Sequence, residues 1–155
     1  MPAKSWTRAW RDKGPEMKTL AAALLFATLP VQSGLAATLT VHVTAIDKKG
    51  GTLRVSLYDH AGWDMDDDQP VASANVPAVM PSTTVVLKDI KPGVYGIKLF
   101  QDYNNNGRFD QNFLGLPLER YGFSRDAAPR LSQPSFDRTH FTVSDGDNEI
   151  SIRLQ

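Results

Sequence analysis

Short runs in which apolar and polar residues alternate govern what this chain can fold into. Leu39, Val41 and Val43 alternate with Thr40, His42 and Thr44, and Leu53, Val55 and Leu57 with Arg54, Ser56 and Tyr58. A half-buried strand has this period, because successive side chains leave a sheet on opposite faces. Further strands are expected near Thr83 to Leu87, at Tyr95, Ile97 and Leu99, at Phe141 and Val143, and at Ile150, Ile152 and Leu154. Turn residues separate them: Lys48 to Gly51, Asp89 to Gly93, and Ser144 to Asn148, where Asp145-Gly146-Asp147 reads as a hairpin turn. No stretch of helical length keeps the helical period of about 3.6 residues. The expectation is an all-β fold, an antiparallel β-sandwich of about seven strands. Periodicity alone leaves a closed barrel open as the alternative.

Two long connections interrupt this pattern. One runs from Asp59 to about Ser82 and holds Trp63 and the acidic residues Asp64, Asp66, Asp67 and Asp68. The other runs from Asp102 to Asp137. Loops beyond roughly 12–15 residues are uncommon in compact domains and tend to carry function.

The N-terminal region reads as a leader. Leu20 to Leu29 is an apolar run between Lys18 and Pro30. It is too short for a bilayer-spanning helix, which takes about 20 apolar residues, and it fits the apolar core of a signal peptide. Gly34 and Ala36 have the small side chains that signal peptidase requires. Residues 1–36 are therefore expected to be a cleaved signal peptide, with a second possible start at Met17, and residues 37–155 a single domain. The expected destination is the periplasm or the medium.

Charge and cysteine usage exclude several classes. The chain has 17 Lys+Arg against 17 Asp+Glu, and without the leader 12 basic and 15 acidic residues remain. A mildly acidic domain offers no overall attraction for nucleic acid or anionic lipid. With no cysteine there is no disulfide, thiolate-bound zinc or thiol catalysis, and no lipid-modified cysteine to anchor the chain.

One segment carries a metal-like motif. Residues 102–110 follow the pattern D-x-N-x-N-G-x-x-D. In a calcium loop, side-chain oxygens at alternate positions converge on the ion, a glycine permits the sharp turn, and a backbone carbonyl follows it. The corresponding ligands are Asp102, Asn104, Asn106, the carbonyl of Arg108, and Asp110, with Glu119 as an acid that folds back. An EF-hand would have a bidentate Glu where Phe113 stands, so the site is expected to bind Ca²⁺ weakly, in a range of about 10⁻⁴–10⁻³ M. The competing reading is a polar turn in which Asn and Asp bond their own backbone.

The motif leads into Gly115-Leu116-Pro117-Leu118-Glu119-Arg120-Tyr121-Gly122-Phe123-Ser124, and Pro92-Gly93-Val94-Tyr95 precedes it. Together with Pro134-Ser135-Phe136, this order resembles the exported bacterial proteins of domain of unknown function 2141. The resemblance covers essentially all of Thr38 to Gln155. It implies a secreted sandwich of immunoglobulin-like or prealbumin-like type, and it carries over no function, since the family has no established activity. The loop is also similar to calcium loops in β-sandwich repeats of bacterial adhesins, which implies that Glu119 is the counterpart of their following acid.

Catalytic signals are weak. His42 and His140 fall on outward strand faces, His60 lies in a loop, and no G-x-S-x-G elbow is present. Asp64, Asp66, Asp67 and Asp68 lack the spacing for a second metal site or a glycosidase carboxylate pair and read as a solvated acidic loop, and a hydrolase built on Glu119 and one of these acids is a further reading. The expectation is a non-enzymatic exported protein with a structural or accessory role. The alternative is a glycan- or peptide-binding module that uses loop aromatics, above all Trp63 and Tyr121.

Overall fold

The computed structural model describes residues 36–64, 69–130 and 132–155. The expected signal peptide, the second start at Met17, and Asp66, Asp67 and Asp68 lie outside the described residues. The chain forms β1 (Ala37–Thr44), β2 (Thr52–Tyr58), α1 (His60–Trp63), β3 (Ala72–Pro77), β4 (Ser82–Ile90), β5 (Gly93–Asp102), β6 (Tyr121–Phe123), α2 (Phe136–Thr139), β7 (Phe141–Val143) and β8 (Asp147–Arg153).

The strands form two sheets. One has the order β4-β1-β8, and the other β3-β2-β5-β6 with β7 also paired to β5. The alternating residues meet between them: Leu39, Val41 and Val43 of β1, Leu53, Val55 and Leu57 of β2, and Ile97 and Leu99 of β5 join one buried cluster. This is the expected all-β sandwich, with eight strands. All the buried residues of this cluster lie between Ala37 and Leu154, so the domain carries its own core.

Three features depart from expectation. β1 and β8 pair in parallel, with Val41 opposite Ile150, so the sheets are not wholly antiparallel. Alternation marks a buried face and carries no strand direction. Both long connections also contain a strand. Within Asp59 to Ser82, β3 pairs with β2 through Ala72, Ala74 and Val76, whose small side chains give a weak hydrophobic signal. Within Asp102 to Asp137, β6 has only three residues. Finally, the Asp145-Gly146-Asp147 turn does not close a hairpin. It leads from β7, paired with β5, to β8, paired with β1.

A second cluster packs one edge. Trp63, Tyr58 and Phe136 are buried together, with Phe123 against them. Trp63 lies over Gly96 of β5, where a Cβ would come within 2.6 Å of the indole ring. Gly96→Ala would therefore overpack this edge, at a cost of about 1–3 kcal/mol. Denaturant unfolding should show a lower midpoint at an unchanged slope; an unmoved midpoint would show that the indole yields freely.

Candidate functional site

The outer face of the five-stranded sheet is where the candidate residues gather. In register across it, Arg54 of β2 lies beside Phe100 of β5, which lies beside Tyr121 of β6. One step along, Ser56, Lys98 and Phe123 form the next row. These side chains alternate with the buried Val55, Leu57 and Leu99, so the pattern that builds the core also sets out this face.

The 102–110 loop folds over one end of the face. Asp102 ends β5 and is fully buried beneath the loop. Its Oδ2 accepts from Arg54 Nε at 2.7 Å and from the Gly107 N–H at 2.8 Å, and its Oδ1 accepts from the Asn106 N–H at 3.1 Å. Burial opposes ionisation of this carboxyl. The hydrogen bond and charge of Arg54, with the Gly107 and Asn106 N–H groups, outweigh it and hold the pKa below the ordinary carboxylate value.

The remaining loop atoms satisfy one another. Asn104 Oδ1 accepts from the Asn106 N–H at 3.0 Å, and Asn106 Oδ1 from the Arg108 N–H at 2.8 Å. Asn104 Nδ2 donates to Asp110 Oδ2 at 2.7 Å, and Asn106 Nδ2 donates to both Asp110 oxygens at 3.0 Å. Asn105 takes a positive φ of 59° and Gly107 one of 80°, which turn the chain. Glu119 does fold back: its Oε1 accepts from the Tyr103 N–H at 2.9 Å and its Oε2 from the Asp110 N–H at 3.0 Å. It thereby clamps both ends of the loop.

This donor set, as arranged, does not fit a hard cation. Such an ion takes about six to eight oxygens turned to one point. Here every carboxylate oxygen of Asp102, Asp110 and Glu119 faces an N–H donor, and the two Asn side chains turn N–H groups toward Asp110. No group of three or more acidic, His or Cys side chains converges as metal ligands among the described residues. Arg54 supplies the positive charge that an ion would bring. The residues expected to hold calcium, Asp102, Asn104, Asn106, Arg108, Asp110 and Glu119, are thus brought together in one loop, where they form a self-bonded polar network.

Beside the loop lies a groove of about 800 Å³ over the outer face. It is lined by Arg54, Lys98, Phe100, Tyr121 and Phe123 from the strands, Arg108, Phe109 and Pro117 from the loop region after β5, and Pro129, Arg130 and Gln133 from the segment before α2. Phe109 reaches from the loop to Phe100 and Tyr121, with both ring centroids 5.5 Å away. The lining has four basic side chains and, among the described residues, no acidic one. Two of the four are committed: Arg54 to Asp102, and Lys98 to the Trp63 carbonyl at 2.7 Å. Arg108 and Arg130 are exposed and reach the groove from two different segments of the chain.

The aromatic expectations divide. Tyr121 lines the groove and is half-buried. Trp63 is fully buried and its Nε1 donates to the Pro134 carbonyl at 2.9 Å, so no ring face remains for a ligand. A Trp in a long connection gives no sign of its burial; the gap that receives it is made by Gly96 on another strand. Arg54 was not among the expected site residues. It carried only the mark of an outward strand position, 48 residues from its partner Asp102.

A family model covers residues 41–151. The chain belongs to the bacterial family DUF2141, described as an uncharacterized protein conserved in bacteria. No curated protein and no solved structure matches the chain. In this DUF2141 chain the D-x-N-x-N-G-x-x-D run is thus a scaffold for one wall of a basic, aromatic groove.

Two outcomes follow. Arg54→Ala should destabilise the domain by about 1.5–3 kcal/mol, since it removes a charged hydrogen bond from a buried carboxylate; a thermal melt reads the loss, and a variant as stable as wild type would contradict it. Because the folded pKa of Asp102 is depressed, its contribution is fully present above the unfolded-state value and is lost as pH falls through the folded value. Unfolding measured against pH should show this acid loss in wild type and a smaller one in Asp102→Asn; equal slopes would exclude the role.

Proposed function

We propose that this domain is a non-enzymatic, exported binding module, and that the groove over its five-stranded sheet takes a ring-bearing anionic ligand, an acidic glycan. The observation that carries this reading is the lining: aromatic rings and basic side chains with no acidic counterpart among the described residues. Aromatic faces suit the apolar faces of sugar rings, and exposed arginines suit carboxylate or sulfate groups bidentately. Arg108 and Arg130 would hold the charged groups, and Tyr121 and Phe109 the rings.

The chemistry of the acids favours binding over catalysis. A general acid or base needs a carboxyl free to exchange a proton with substrate. Both Glu119 oxygens accept backbone N–H groups, and Asp102 is held ionised beneath the loop by Arg54. The leader-like run at Leu20 to Leu29 supports export to the periplasm or the medium.

Calorimetry with uronic-acid and matched neutral oligosaccharides tests the reading on residues 37–155. Acidic sugars should bind and neutral ones should not, with Tyr121→Ala and Arg130→Ala each weakening affinity about tenfold, a loss of about 1.4 kcal/mol. Equal binding of neutral sugars, or a blank series, would overturn it. Melting in EDTA and in excess Ca²⁺ should give the same midpoint; a calcium-dependent rise would restore an ion to the loop.

A further inference from the structure

Between Asp110 and Glu119 the chain makes a tip with no charged residue from Gln111 to Leu118. Phe113 is 95% exposed, Leu114 68%, and Leu116 and Leu118 56% each. Apolar side chains are ordinarily exposed singly, not four together on one turn.

The backbone of the tip is unusually self-sufficient. Asn112 Oδ1 accepts from the Leu114 N–H at 2.9 Å and from the Leu116 N–H at 3.0 Å. The Asn112 N–H donates to the Leu116 carbonyl, the Gly115 N–H to the Asn112 carbonyl and the Leu118 N–H to the Asp110 carbonyl, each at 2.9 Å. Burial of a backbone N–H away from water is costly unless it is bonded, and those of Asn112, Leu114, Gly115, Leu116 and Leu118 are bonded within the tip. Arg108 lies two residues before Asp110 at the tip's base, and Arg130 lines the same groove as Leu116 and Pro117.

We propose that this tip docks the domain on an anionic lipid surface. Phe113, Leu114, Leu116 and Leu118 would enter the interfacial layer, and Arg108 and Arg130 would meet the headgroups. The charge complementarity is local: residues 37–155 carry more acid than base, but attraction is felt only within a Debye length of about 8–10 Å. Of the nearby charges, the carboxylates of Asp110 and Glu119 are turned inward onto Asn amides and backbone N–H groups, while Arg108 is exposed. Size favours lipid over a protein partner. A stable protein interface takes about 20–30 residues from each side, and the tip spans only Gln111 to Leu118, whereas interfacial insertion needs a depth of about 5–10 Å. The proposal shares Arg108 and Arg130 with the groove reading, but its distinguishing observation is the exposed apolar tip, which the Leu114 and Leu116 variants test separately.

The test uses residues 37–155, which hold every buried core residue among the described residues and avoid the apolar run at 20–29. Trp63 is the single tryptophan in that stretch and is buried, so Phe113→Trp adds a reporter at the tip. Phosphatidylglycerol-containing vesicles should shift its emission to the blue and co-sediment the protein, and phosphatidylcholine vesicles should do so more weakly. Leu114→Ser combined with Leu116→Ser should weaken binding at least about tenfold while the thermal midpoint stays put. Arg108→Gln combined with Arg130→Gln should abolish the preference for the anionic lipid. Absence of both shift and sedimentation, equal binding by the serine variant, or no preference between lipids in wild type would overturn the proposal. So would a dimer that forms without vesicles and is lost in the serine variant, since a second copy would then cover the tip.

Discussion

The outer face of this sandwich depends on one buried charge. Asp102 ends the longest strand with no exposed surface, and an ionised carboxylate in that position must be matched by donors. Arg54 provides a cation from the neighbouring strand, and the loop provides two N–H groups. The loop can bring those donors only by turning back over the sheet at Gly107. Posture of the loop and neutralisation of the carboxylate are thus one event, and Glu119 secures it by accepting from Tyr103 at one end and Asp110 at the other.

From that anchor the rest of the face follows. A loop held down at Asp102 places Phe109 against Phe100 and Tyr121, and Tyr121 in turn lies against Phe123 with ring centroids 6.0 Å apart. The aromatic series continues through Trp63 into the second buried cluster, so the groove lining is continuous with packed structure. The same loop carries Arg108 to the groove and extends into the apolar tip. A basic groove and an apolar prominence side by side suit a module that works where anionic polymers or lipids are concentrated.

The sequence made some of this plain and hid the rest for physical reasons. Alternation at Leu39 to Val43, Leu53 to Leu57 and Ile150 to Leu154 marks the buried face, and those strands stand where expected. β3 escaped notice because Ala72 and Ala74 bury little surface, and β6 because three residues do not make a period. Strand direction leaves no mark in alternation, so the parallel pairing of β1 with β8 was invisible. For the loop, residue types and the return of Glu119 were legible, but the partner of Asp102 was not. Arg54 stands opposite the loop through the register between β2 and β5, which alternation does not reveal. Trp63 has the same lesson, since its burial is set by the absence of a side chain at Gly96.

Amide hydrogen exchange across the loop tests the central claim most directly, because it reads the N–H groups that Asp102 and Glu119 hold. The Asn106 and Gly107 amides bond to Asp102, and the Tyr103 and Asp110 amides to Glu119. Measured in EDTA, all four should be protected in the wild type, with protection unchanged by added Ca²⁺ and reduced in Arg54→Ala, most at Asn106 and Gly107. Four amides that exchange freely in EDTA and become protected only with Ca²⁺ would contradict the account and make an ion, in place of Arg54, the organiser of this face.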